Sequence, residues 1–112
     1  VWGICAGSIL LAETVDGEPG AIGALPVSAE RNAYGRQLES VLSELDIPVL
    51  GRKNFPAFFI RAPRLSANAG ALLVHAMNGP DPVFVQHERV MATTFHPELT
   101  GDPVFHDFFV HL

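Results

Sequence analysis

The residue types that can do chemistry here are a cysteine set between glycines, in VWGICAGSILLAE, and a histidine two residues before a glutamate, in TFHPELTGD. Cys5 is the only cysteine, and Gly3 and Gly7 flank it in a Gly-x-Cys-x-Gly pattern. Small neighbours suit a residue on a sharp turn from strand to helix, where the chain passes close to itself. A helix starting just after the cysteine aims main-chain N–H groups at the sulfur, which is expected to lower the thiol pKa. The N–H of Ala6 is then placed to donate to an oxyanion. The plainer alternative is a small buried hydrophobe in the core.

A thiolate that transfers acyl groups needs a base held in one tautomer by a third group. His96 and Glu98 fit those roles. In extended chain, residues two apart point to the same side, and Pro97 keeps His96 out of the helical region. The alternative is a strand end carrying two solvated polar groups. His75, His87, His106 and His111 show no metal-ligand spacing; surface or edge positions are expected for them, and no metal.

The elements that must position these groups are partly visible. VWGI reads as a strand ending at Cys5, and SILLAE as one or two helical turns. DGEPGAIGALP is too rich in glycine and proline for more than one brief extended piece. VSAERNAYGRQLESVLSEL reads as part strand and part surface. PAFFIRAP, bracketed by prolines, reads as a buried strand. ALLVHAMN and PVFVQHERVMATTF read as three strands in series joined at NGPDP and HER, which implies antiparallel hairpins. A closing helix follows, with Asp102 as N-cap and Pro103 at its first position. Phe105, Phe108, Phe109 and Leu112 form its apolar stripe.

With 112 residues, 48% of them hydrophobic, the chain is expected to bury a core and form one compact domain. The net charge is −5, and Arg52, Lys53, Arg61 and Arg64 supply four of the seven cations from one short stretch among apolar residues. Nucleic acid and anionic membranes are therefore not expected partners. No apolar run approaches the roughly 18 residues of a membrane span. A lone cysteine forms no internal disulfide, and a cytoplasmic setting is expected.

The segments GICAGSILLA, ERNAYGRQ, FFIRAP and TFHPELTGD resemble, in order and spacing, the triad-type class I glutamine amidotransferases. Within them, the resemblance is to the glutaminase subunits of pyridoxal 5'-phosphate synthases. The match runs over essentially the whole chain, and ERNAYGRQ with FFIRAP is its specific part. The resemblance implies a three-layer, flavodoxin-like α/β fold, of which residues 1–112 are expected to be the C-terminal part. In that family, upstream strands and a glycine-rich oxyanion loop come before the position of Val1. It implies glutamine hydrolysis to glutamate and ammonia, with Cys5 as nucleophile, His96 as general base and acid, and Glu98 orienting it. It also implies Arg31, Ile60 and Arg61 in the glutamine pocket, no cofactor, and a synthase partner that receives the ammonia in a hetero-oligomer. Arg36 and Gln37 are expected to be structural or partner-facing. Ile4 stands where the family usually has threonine, Gly101 where it often has an acidic residue, and the loop after the first helix is slightly shorter. Three rival readings accompany this one: a triad amidotransferase feeding another acceptor, a non-catalytic interaction module of the same fold, and a cysteine hydrolase acting on peptides.

Overall fold

A computed structural model describes residues 1–32, 41–68 and 70–112. Its first sheet has the order β1–β10–β9–β8, built from Trp2–Ile4, Val90–Thr93, Asp81–His87 and Leu73–Asn78. The second has the order β3–β2–β4–β7, from Glu18–Pro19, Ala12–Val15, Leu25–Glu30 and Arg64–Ala67. A two-stranded ribbon of β5, Val41–Ile47, and β6, Arg52–Phe59, is a third sheet, strand-paired to neither of the others. Two α-helices, α1 over Ala6–Leu11 and α2 over Val104–Val110, and two turns of 3-10 helix, Pro48–Leu50 and Pro97–Leu99, complete the described elements.

The first sheet is covered on both faces. Met91 and its neighbours Phe84, Phe95 and Phe105 join one core cluster, with α2 and the ribbon. Ala92 and Val85 face the other cluster, with Leu11 of α1 and Leu25, Val27 and Leu65 of the second sheet. Adjacent residues of β10 point to opposite faces, so one short strand ties two cores together.

The three strands in series form the expected hairpins, closed by two-residue turns at Gly79–Pro80 and Glu88–Arg89. The brief extended piece of the glycine-rich loop is β3, paired with β2 across Asp16 and Gly17, both at positive φ. That is the backbone of a type I′ turn, for which Asp-Gly is a favoured pair. The stripe of α2 packs as expected, with Phe105 fully buried and Phe108, Phe109 and Leu112 against the same cluster.

Three expectations need correction. Helix α1 ends at Leu11, and Ala12 and Glu13 already belong to β2. The strand expected in PAFFIRAP begins earlier, at Arg52, and only Phe55 and Ala57 on it are fully buried. Pro56 is exposed opposite Glu44 in a two-stranded ribbon, where a missing N–H costs no central ladder bond. Helix α2 starts one residue later than expected, with Pro103 at its N-cap. Asp102 still accepts from the Val104 N–H at 3.0 Å, so the capping hydrogen bond is kept from one position upstream.

Candidate active site

The turn at Cys5 is built by the glycine before it. A Cβ on Gly3 would lie 2.6 Å from the main chain of Gly7, so β1 and α1 approach as closely as they do only because position 3 lacks a side chain. Gly7 itself is uncrowded, contrary to expectation: a Cβ there would meet nothing within 4 Å. Cys5 takes φ 52° and ψ −105°, a conformation an L-residue adopts only under constraint. The constraint is visible on both sides. Its N–H donates to the Thr93 carbonyl at 2.7 Å, and its own carbonyl accepts from the Ser8 N–H at 3.0 Å and the Ser8 hydroxyl at 2.5 Å.

The sulfur is half-buried and donates to the Ile60 carbonyl at 3.5 Å. Burial pushes the thiol pKa up. The facing Ala6 N–H acts against that rise, and the negative charge of Glu98 adds to it. The expected lowering is therefore overturned. A six-residue helix offers one well-placed N–H, and this does not offset the loss of solvent around a charged sulfur.

His96 arrives by a different route. Strand β10 runs parallel to β1 with Ile4 opposite Thr93, so the residues after both strands emerge at the same edge of the sheet. Sites of α/β proteins form at such carboxyl ends. Thr94 donates its N–H to the Val83 carbonyl, Phe95 is fully buried, and the His96 N–H bonds the Phe58 carbonyl of β6 at 3.0 Å. Sheet and ribbon together thus hold the histidine backbone.

His96 lies outside the helical region, at φ −110° and ψ 86°, as the following proline requires. The expected extended run to Glu98 does not occur. Pro97–Leu99 forms a turn of 3-10 helix, and His96 Nδ1 meets Glu98 Oε2 at 2.9 Å across it. A carboxylate can only accept, so the neutral ring carries its proton on Nδ1 and leaves Nε2 free as a base.

Of the remaining expected site residues, Ile60 is at the sulfur through its carbonyl, and Arg61 follows it at φ 48° with an exposed side chain. Among the described residues Arg61 makes no ion pair, which leaves its guanidinium available to a ligand. Arg31 is engaged elsewhere: its Nε donates to Asp16 Oδ2 at 2.7 Å and its N–H to Oδ1 at 3.1 Å, and its side chain is 61% exposed. These two bonds hold the Asp16 carboxyl below the usual carboxylate range. Arg36 and Gln37 lie outside the described residues. Arg52 pairs with Asp102 at 3.1 Å and Arg64 with Asp81 at 3.3 Å, so two of the four cations of that stretch have acidic partners.

Three of the other histidines take structural positions. His75 bonds Gln86 at 2.8 Å and packs on Phe84, His106 stands edge-on to Trp2, and His111 bonds the Asp107 carbonyl at 2.7 Å. Among the described residues no three His, Cys, Asp or Glu side chains gather as a metal site, and no helix is long and apolar enough to cross a membrane. Sequence reasoning missed Ser8 and Phe58. The signal for Ser8 was a small polar residue three positions after the cysteine in an otherwise apolar run. Phe58 acts through its carbonyl, which no side-chain pattern reveals.

The model of the SNO glutamine amidotransferase family matches residues 1–112. The pyridoxal 5'-phosphate synthase subunit PdxT of Pelotomaculum thermopropionicum is 47% identical over 112 residues, covering 98% of this chain and 57% of that protein. The subunit of the same name from Thermotoga neapolitana is 42% identical over 113 residues, covering 100% of this chain and 60% of that protein. A solved structure described as a glutamine amidotransferase superposes with a TM-score of 0.87 at 40% identity, over 98% of this chain and 58% of that one. At that likeness the two share a fold, as the α/β reading of the sequence anticipated. The chain spans 57% and 60% of the length of these two curated relatives.

Proposed function

The chain belongs to the SNO glutamine amidotransferase family, and on that premise we propose that it carries the catalytic centre of a glutaminase serving pyridoxal 5'-phosphate synthesis. In this reading L-glutamine is hydrolysed to glutamate and ammonia by Cys5, His96 and Glu98. The ammonia passes to a synthase subunit bound in a hetero-oligomer. The observation that carries the reading is the parallel register of β1 and β10, which sends the nucleophile turn and the histidine–glutamate pair out of the same sheet edge.

The chemistry runs in two halves. Because the resting thiol is held protonated by burial, Nε2 of His96 removes its proton as the sulfur attacks the side-chain amide carbon of glutamine. The carbonyl oxygen becomes negative and is met by the Ala6 N–H. The tetrahedral species collapses, the C–N bond breaks, and the imidazolium returns its proton to the departing nitrogen as ammonia. A thioester remains. Neutral His96 then takes a proton from water, hydroxide adds to the thioester carbon, and the C–S bond breaks to release glutamate as the imidazolium returns its proton to the departing sulfur, which restores the thiol. Glu98 keeps the ring in the tautomer that both halves need.

Arg31, Ile60 and Arg61 are proposed to hold the glutamine. A guanidinium binds the α-carboxylate through two parallel charge-assisted hydrogen bonds, and Arg61, exposed and next in the chain to the Ile60 carbonyl that meets the sulfur, suits that role. Arg31 takes it only after exchanging Asp16 for substrate. A nucleophile that must remain a free thiol fits a reducing, cytoplasmic setting.

The test is glutamate release from L-glutamine by the protein, with and without the synthase subunit, set beside Cys5→Ala. Turnover that disappears in the variant supports the reading. Equal turnover in both, or none by the unsubstituted protein in the complex, refutes it.

A further inference from the structure

Ser8 is fully buried in the first turn of α1, and both of its donors point at one oxygen. Its N–H reaches the Cys5 carbonyl at 3.0 Å, as the start of a helix requires, and its hydroxyl reaches the same oxygen at 2.5 Å. That carbonyl belongs to the same planar peptide unit as the Ala6 N–H, and in a trans peptide the two point in opposite directions. Fixing one end therefore fixes the other. The unit is held at a Cys5 φ of 52° and ψ of −105°, where an unrestrained L-residue would relax by rotating the plane.

We propose that Ser8 is a positioning residue of the glutaminase centre, its hydroxyl clamping the Cys5 carbonyl so that the Ala6 N–H stays aimed at the oxygen that gains charge. The inference rests on the glutaminase reading only for its catalytic consequence. The clamp itself is a property of the resting turn, and the sulfur reports it, because the same Ala6 N–H faces the sulfur and favours its thiolate. A serine bonding back to a carbonyl one turn earlier also satisfies its own hydroxyl. A purely structural role of that kind would alter stability and leave the reactivity of the sulfur unmoved.

The experiment has two arms on the same proteins. In the first, the rate of Cys5 alkylation by iodoacetamide is followed against pH for the unsubstituted protein, Ser8→Ala and Ser8→Thr. In Ser8→Ala the midpoint moves to higher pH, since the loosened N–H no longer favours the thiolate, and Ser8→Thr restores it. In the second arm, with the synthase subunit present, Ser8→Ala lowers kcat about tenfold with KM within twofold. This is less than the hundredfold or more typical of removing an oxyanion donor outright, because the donor is loosened and not deleted. Ser8→Ala with an unchanged alkylation midpoint overturns the proposal. So do equal losses in Ser8→Ala and Ser8→Thr, which would trace the effect to packing. If the unsubstituted protein alkylates as described but hydrolyses no glutamine, the glutaminase reading fails and the clamp stands. Should Ser8→Ala not fold, NMR of the unsubstituted protein decides. A slowly exchanging Ser8 hydroxyl proton supports the clamp, and a rapidly exchanging one overturns it.

Discussion

His96 Nδ1 and Glu98 Oε2 lie 2.9 Å apart across one turn of 3-10 helix. The contact needs no distant element, because Pro97 ends the extended chain at His96 and the turn folds Glu98 back under the ring. What the distant elements decide is where the pair sits, through the bond from the His96 N–H to the Phe58 carbonyl.

Replacing Glu98 by Gln keeps the shape and removes the obligate acceptor, so the ring is free to take the tautomer in which Nε2 is no longer a base. We expect kcat for glutamine to fall on the order of a hundredfold or more, with KM little changed. The Glu98 side chain is 41% exposed, so water partly replaces it, and the loss stays below that of a fully buried orienting carboxylate. Steady-state kinetics at fixed pH measures it, and an unaltered kcat would remove Glu98 from the triad.

The pH dependence of stability carries the signature of the half-buried thiol. Burial raises the folded pKa of Cys5, so the folded state holds this proton more tightly than the unfolded chain does. The stabilisation is fully present below the unfolded thiol value of about 8.5 and is lost as pH rises through the higher folded value. The melting temperature of the unsubstituted protein should therefore decline more steeply above roughly pH 8.5 than that of Cys5→Ala. Parallel curves for the two proteins would contradict the burial effect.

Gly3 and Gly7 look equivalent in sequence and are not. Gly3→Ala forces a Cβ to 2.6 Å from the Gly7 backbone, where no flexible side chain can yield, and should cost about 1–3 kcal/mol or prevent folding. Gly7→Ala meets open space inside α1 and should be neutral or stabilise by up to about 1 kcal/mol through helix propensity. Urea unfolding of the two variants gives opposite signs if the close approach is as described.

For Arg31, substitution by Lys preserves charge and removes the paired donors. If its guanidinium leaves Asp16 to bind the glutamine carboxylate, KM rises about tenfold while kcat holds within twofold, the pattern of lost ground-state binding. An unchanged KM would leave Arg31 as the surface partner of Asp16 that the resting structure displays.

What the sequence determined by itself was local. Gly3 before Cys5, Pro97 after His96, the Asp16–Gly17 turn and the phenylalanine stripe of α2 act over a few residues, through sterics and side-chain period, and each was legible in the string. Tertiary structure decided the rest. The pairing of β1 with β10 sets Trp2 opposite Met91, and the Trp2 indole N–H bonds the Thr93 hydroxyl 91 positions away; no local pattern states which strand becomes the neighbour. The extent of β6 was misread because its alternating burial depends on what the ribbon covers. The thiol pKa moved against expectation because desolvation is set by everything packed around the sulfur, Ile60 and Glu98 included, while the helix that follows supplies only one favourable N–H. Local sequence fixes which groups can react and the turns they ride on, whereas their solvent exposure and mutual approach come from long-range packing, which is where their reactivity is set.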